Sequence, residues 1–426
     1  MSKILVISHN VFSDSGNMGK TISSYFHNFK NYEIAQFYIH SEEPYSNICN
    51  NYYRVTDKEI LKSIITRTSG TSLKCNNKKT ALNYIKKYKT LKKRTILYFI
   101  RDLIWNLGCW NTKSLRKWLN DFSPDVVFLA SGDYSFIYKV ALKIAKCRNI
   151  PLIINCMDDY YIIKKRSFFD KIQKYFFMKT VRKTIAYSSL IMCISEKMAE
   201  DYKNFFQKKT CVIHTSSSMG KIIEKTNPNK ISYIGNLGYY RYKQLISIAK
   251  ALKRLNLGIN CIDIYSSMTN NKIISYLKRE DSINFHGAIS QKEIIKVMQD
   301  SIAVIHTESF DEIMSEKTLY SVSTKIADSL MSGTCIFAYG PKNIASIKYL
   351  LDNKAAICAT NEKELESKLK ELIMNKKLRE QTIENAIKLA EKNHSQNQAF
   401  KVINYAIDYS ITEFRNRNLY HENTSN

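Results

Sequence analysis

What most constrains this chain is a regular alternation of short, nearly continuous apolar runs with longer helical patterns. The runs are Ile4–Ser8, Asp125–Ala130, Leu152–Cys156, Leu190–Ile194 and Cys211–His214, then Ile231–Ile234, Asn260–Tyr265, Ala303–His306, Cys335–Ala338 and Ala355–Ala359. Runs of this length suit strands covered on both faces, so each implies a parallel sheet with helices on either side. Helical patterns lie between them at Phe136–Cys147, Leu245–Leu255, Gln291–Gln299, Ser323–Met331 and Glu362–Leu372. The alternation predicts an α/β chain of two Rossmann-like, doubly wound parallel-sheet domains. Thr215–Lys230 has no periodicity and reads as the linker. The expected division is 1–218, 219–395, and a C-terminal helix over 396–426 that returns to the first domain, with Arg415–Asn426 a frayed polar tail. Two open domains of this kind imply a cleft facing the carboxyl ends of the strands, suited to two large substrates.

Of the 426 residues, 44% are hydrophobic, ample for two cores. The net charge is +27, of which +20 lies before Gly220, so the first half carries most of the demand for an anionic partner. From Lys74 to Arg101 there are ten Lys or Arg residues and no acid, interleaved with Tyr84, Tyr88, Tyr98 and Phe99. From Lys164 to Lys183 there are eight against one acid, with Phe168, Phe169, Tyr175, Phe176 and Phe177. Such segments suit an anionic membrane surface, whereas a Lys-rich solvated face is the plain alternative. No nucleic-acid signature accompanies the charge, so no specific nucleic acid is expected. The ten cysteines are scattered singly with no CxxC, against zinc or a disulfide framework, and imply a reducing, cytoplasmic compartment. With no run of ~18 apolar residues, membrane contact is expected to be peripheral, on the inner face of the plasma membrane.

Four places carry chemistry. After the first strand come Ser8-His9-Asn10 and Ser13 to Thr21; Asp14 occupies the position where a P-loop needs its first glycine, which argues against an NTPase. What remains is close backbone approach at Gly16 and Gly19 and free amides at a helix start, with Asn10 and Lys20 beside them. Asp158-Asp159 follows Leu152–Cys156, placing two carboxylates at a strand's carboxyl end for catalysis, acceptor binding or helix capping. Ser131-Gly132-Asp133-Tyr134 has the same location and the same alternatives. In the second half, Ser323 and Thr324 cap a helix whose first amides suit an anion; Lys325 adds a charge fitted to a diphosphate, and Asp328 can accept two ribose hydroxyls.

These residues resemble a GT-B-fold glycosyltransferase of the retaining, glycogen-synthase-like superfamily, family 4-like, of the kind that assembles capsule and surface polysaccharide. The likeness runs over most of the chain, through Ile7-Ser8-His9-Asn10, Asn17 to Thr21, Met157 to Tyr161, Tyr233-Ile234-Gly235-Asn236-Leu237-Gly238-Tyr239-Tyr240-Arg241, Phe285-His286-Gly287, His306 to Phe310, and Ser323 to Ile326 with Ser332-Gly333. It implies that the second domain binds a nucleotide sugar, with Asp328 on the ribose, Arg241 and Lys243 on the diphosphate, and Gly235, Gly287 and Glu308 lining the donor. The superfamily's Glu-x7-Glu pair is incomplete, since Tyr320 stands eight before Asp328; Glu308 and Glu316 fit the spacing but lie too early for the ribose role.

The expected activity is transfer of a sugar from a nucleotide-diphosphate sugar, UDP-linked, to a lipid-linked saccharide, with retention implied by the resemblance alone. Arg241, Lys325 and Asp158 are the candidate catalytic residues. Asn10, Gly16, Gly19, Lys20 and Asp159 are those expected at the acceptor. Asp158-Asp159 is not a DxD motif, so no metal or other cofactor is expected; the charge on the leaving diphosphate falls to the cations and helix amides. Two alternatives remain at this point: a non-catalytic membrane- or nucleic-acid-binding protein on the same fold, and a nucleotide-sugar epimerase.

Overall fold

The computed structural model describes residues 2–13, 17–27, 32–75, 94–163, 167–217 and 230–424. The chain divides into two compact units, Met1–Ile213 with Ala399–Asn426, and His214–Gln398. Gly16 and the lysines from Lys78 to Lys93 lie outside the described residues, as does 218–229 of the linker.

In the first unit the described strands are β1 (Ser2–Ser8), β2 (Tyr32–Tyr38), β3 (Asn51–Arg54), β4 (Thr71–Leu73), β5 (Val126–Ala130), β6 (Leu152–Cys156), β7 (Leu190–Cys193) and β8 (Thr210–Val212). They form one sheet in the order β4-β3-β2-β1-β5-β6-β7-β8, parallel throughout except for β3 with β4. Every residue of β5, β6 and β7 is buried, as strands between two helical layers must be. The second unit contains β9 (Lys230–Ile234), β10 (Ile262–Tyr265), β11 (Ile283–Gly287), β12 (Ser301–Thr307), β13 (Cys335–Tyr339) and β14 (Ile357–Ala359), all parallel, in the order β11-β10-β9-β12-β13-β14. Its core is built on both sheet faces: Ile231, Ile262, Ile264, Phe337 and Leu245 on one, Val304, Ile336, Ile326 and Leu350 on the other.

The sequence pattern missed β2, β3, β4 and β11. In β2 the apolar run is broken by Gln36, which is nonetheless fully buried. Its amide is satisfied by the loop after β1: Nε2 donates to Ser8 Oγ at 2.8 Å and to Asn10 O at 3.1 Å, while Oε1 accepts from Phe12 N at 3.0 Å. A buried polar side chain with every group paired costs little, and here it fixes the loop's path.

The expected frayed tail is corrected, since the last helix runs Gln396–Thr424. Arg417 anchors it by donating to Tyr187 O at 3.2 Å and Ser188 O at 3.3 Å, and Phe414 packs edge-on to Tyr187 at 5.8 Å. Together these contacts hold a segment whose polar composition alone would leave it loose.

Candidate functional site

In both sheets the winding reverses at one place, between β1 and β5 in the first and between β9 and β12 in the second. Loops leaving the carboxyl ends of such strand pairs diverge to opposite faces, and the gap they leave is where doubly wound domains bind ligands.

In the second unit an ion pair spans this gap. Arg241 opens the helix Arg241–Leu255 after β9, and Glu308 directly follows β12. Arg241 Nη2 donates to Glu308 Oε1 at 2.7 Å, and Nε donates to Oε2 at 3.3 Å. The Glu308 side chain is 1% exposed and that of Arg241 15%. Burial pushes the Glu308 carboxyl up from its ordinary value, and Arg241 pulls it back. His306, on β12, holds its Nε2 4.0 Å from Glu308 Oε1 and 2.9 Å from Ser346 Oγ. Burial, then the nearby Arg241 charge, pushes His306 down to about 3, so it is neutral at pH 7. Gly340 passes so close to Glu308 that a Cβ there would lie 3.1 Å from its backbone oxygen.

The turn between β9 and Arg241 is equally tight. A Cβ on Gly235 would lie 2.7 Å from the Tyr233 ring, whose hydroxyl donates to Asn236 O at 2.6 Å. Tyr239 and Tyr240 both take left-handed backbone angles, φ 55° and 58°, a strained arrangement for bulky residues. Lys243 Nζ sits 4.3 Å over the Tyr240 ring, and Arg241 lies 5.4 Å from that of Tyr239.

Lys325 reaches the same turn from the helix Thr324–Met331, with Nζ donating to Ile234 O at 3.1 Å. Ser323 caps that helix, its hydroxyl accepting from Lys325 N at 3.4 Å, and Thr324 is the first residue inside. Asp328, nearly one turn beyond Lys325, accepts from Ser217 Oγ at 2.8 Å. Ser217 is itself held by His394: its amide donates to His394 O at 2.9 Å, and His394 Nδ1 lies 2.8 Å from Thr215 O. The structure thus gathers Gly235, Arg241, Glu308 and Lys325 at one end of the sheet. Gly287 stands apart, closing the edge strand β11 at φ 80° with its carbonyl taken by Ser266 N at 2.7 Å.

In the first unit, His9 after β1 stacks on Tyr134 after β5, with ring centroids 5.8 Å apart. Arg101 lies 4.1 Å over the other partner of that stack, Tyr134, and donates to Asp57 Oδ1 at 3.0 Å. Tyr98 OH donates to Asp133 Oδ2 at 2.6 Å. Burial first, then Arg101 and His40, push His9 down to about 3. His9, Asp133 and Tyr134 follow strand ends, which is the sequence signal for them, whereas Arg101 sits in the middle of the helix Arg94–Leu107, where no such signal marks it.

Asp158 and Asp159 separate in role. Asp159 accepts from the amides of Tyr161, Ile162 and Ile163 at 2.9, 3.0 and 2.7 Å and from Tyr202 OH at 2.6 Å. Four donors on one carboxylate are the load of a structural cap. Asp158 reaches solvent and, among the described residues, takes a 3.3 Å bond from Tyr160 OH. Desolvation by the surrounding protein raises its pKa, the Tyr160 bond opposes this, and the carboxylates of Asp133 and Asp159 add to the rise. Asn10 turns its carbonyl to Ser8 Oγ at 2.7 Å. Gly19 is buried in the first turn of the helix Asn17–Phe26, where a Cβ would meet Val11 O at 2.3 Å; Lys20, half-buried, follows it. Among the described residues no three His, Cys, Asp or Glu side chains converge as a metal site.

Family models match both units. That of Glycosyltransferase Family 4 matches residues 77–216, and one described as glycosyl transferase-like matches 245–403. The chain belongs with the glycosyltransferases. No curated protein matches this glycosyltransferase. Solved structures share its GT-B fold over nearly the whole length. TarM of S. aureus is 12% identical, with 96% of this chain and 99% of that one covered at a TM-score of 0.62. Anabaena Alr3699/HepE in complex with UDP is 11% identical, covering 95% and 99% at 0.61. Sucrose-phosphate synthase from Thermosynechococcus elongatus is 9% identical, covering 95% and 98% at 0.59.

Proposed function

We propose that this glycosyltransferase moves a hexose from a UDP-sugar to a lipid-linked saccharide in bacterial surface-polysaccharide assembly, with retention at the anomeric carbon. The observation that carries the donor side is the convergence of Lys325 and Arg241 on the turn after β9, where Lys325 Nζ meets Ile234 O. Cations held at a strand end beside a capped helix stabilise charge developing on a leaving diphosphate. Asp328 takes the ribose, and Ser217 orients it. The complexes of Alr3699/HepE with UDP and with UDP-glucose support a UDP-linked donor. Glu308 acts through Arg241, and Lys243 and Gly287 serve the donor's outer parts.

The acceptor side rests on the first unit. Asp158 assists the acceptor hydroxyl, near the His9–Tyr134 stack. An anionic membrane surface is engaged through the helix Phe168–Tyr187, which exposes Phe168 and Phe169 beside Lys171. The helix Arg94–Leu107 exposes Leu97, Ile100, Leu103 and Leu107 on one stripe. No helix among the described residues is long and apolar enough to cross a membrane.

The test measures UDP released from a panel of UDP-sugars with and without a bacterial lipid-linked glycan extract. Release that requires the extract supports transfer. Interconversion of the donor without UDP release establishes an epimerase, and neither reaction with any donor leaves a binding protein.

A further inference from the structure

A second feature stands apart from both strand-end sites and goes beyond the proposed transfer. At the β3–β4 edge of the first sheet, two strands from β1, lies a cavity of about 670 Å³. Its walls are the helix Asp57–Thr66, the left-handed cap residue Arg67, the turn through Gly70, and the start of the helix Lys113–Phe122. Four cations line it, Lys62, Arg67, Lys113 and Arg116, and none of them has an ion-pair partner among the described residues. The one acid in the lining, Glu59, is turned away by its capping box, with Oε2 accepting from both Thr56 N and Thr56 Oγ1 at 2.7 Å. Thr112 Oγ1 accepts from Leu115 N at 3.2 Å, which leaves the first two amides of that helix, at Lys113 and Ser114, with no acceptor inside it.

Two stretches of chain, Glu59–Gly70 and Cys109–Arg116, therefore bring positive charge, amide donors and a serine hydroxyl to one concavity whose one acid, Glu59, is engaged in its capping box. The four cations are solvent-exposed, and their placement around one concavity adds their fields at its centre. Two guanidinium forks with two ammonium groups match the several acceptor oxygens of a phosphate better than a single carboxylate. The volume also has room for a sugar-sized group attached to it.

We propose that this cavity is a binding site for a phosphate-bearing ligand, separate from the donor site. The phosphate belongs either to a soluble phosphorylated saccharide or to a lipid headgroup.

The experiment titrates glycerol 1-phosphate into the full-length protein by calorimetry at fixed ionic strength, with the donor site saturated by UDP. The triple variant Lys62→Gln, Lys113→Gln, Arg116→Gln is compared with wild type and with Lys292→Gln, Lys296→Gln, which removes charge from an unrelated helix. Affinity is expected to fall about tenfold or more in the triple variant and to hold in the control. Circular dichroism melts that coincide show that the variants are folded. No binding to wild type, or equal loss in both variants, overturns the proposal. Displacement of the probe by phosphatidylglycerol vesicles, but not by phosphatidylcholine vesicles, assigns the phosphate to a lipid headgroup; displacement by glucose 1-phosphate alone assigns it to a soluble saccharide.

Discussion

Arg241 and Glu308 meet through two hydrogen bonds, at 2.7 and 3.3 Å, across the point where the second sheet reverses its winding. A pair so deeply buried repays its desolvation only while both members are present. Removing Glu308 alone leaves a guanidinium without its counter-charge at the very end of the sheet where the donor is expected. Glu308→Ala is expected to cost about 3–5 kcal/mol in urea unfolding. The double variant Arg241→Met, Glu308→Leu should recover much of that stability while abolishing transfer. A Glu308→Ala protein as stable as wild type contradicts the pairing.

The two depressed histidines set an acid limit. His9 and His306 are each held near 3 in the folded protein, against about 6.5 in the unfolded chain. Above pH 6.5 both states are neutral and nothing is lost. Between 6.5 and 3 the unfolded chain binds protons that the folded one refuses, so stability falls as pH falls. The melting temperature should decline steadily from pH 7 to 4, and His306→Gln should flatten part of that decline. A slope unchanged by the substitution counts against a buried neutral His306.

Gly19 sits where a side chain has no room, with the Val11 carbonyl 2.3 Å from any Cβ. Gly19→Ala must push the helix Asn17–Phe26 away from the loop after β1, at a cost of about 1–3 kcal/mol. The melting temperature measures this. Unchanged stability shows that the loop yields instead.

Ser217 donates to Asp328 at 2.8 Å, so its effect on nucleotide should pass through that carboxylate. Ser217→Ala is expected to weaken UDP binding by about tenfold, the worth of one hydrogen bond to a charged group at its low end, and Ser217→Thr to restore it. In an Asp328→Ala background the serine substitution should have no further effect. Loss of equal size in both backgrounds refutes the positioning role.

Much of the architecture was legible because strands covered on both faces must be apolar: Val126–Ala130 and Leu152–Cys156 announce themselves. Tyr32–Tyr38 did not, because Gln36 is buried for its hydrogen bonds and not for its polarity. The site was legible to the extent that its chemistry sits on loops next to strand ends, as with Ser323 to Asp328. Pairing was not, since nothing in the spacing of Arg241 and Glu308 says that the two side chains lock together. Asp158 and Asp159, adjacent and identical, carry no sequence mark that one reaches solvent while the other is consumed by three amides and Tyr202. The left-handed Tyr239 and Tyr240 were equally hidden, because bulky residues seldom adopt that backbone.

The measurement that bears most directly on the central claim is a thermal-shift panel of UDP, GDP, ADP and CMP against the purified protein, repeated with Asp328→Ala and Lys325→Ala. A ligand bound only by the folded state raises the apparent melting temperature. The expected result is a shift with UDP that exceeds the others and disappears in both variants. A UDP shift that survives both substitutions, or no shift with any of the four nucleotides, contradicts a donor site at the β9 and β12 strand ends.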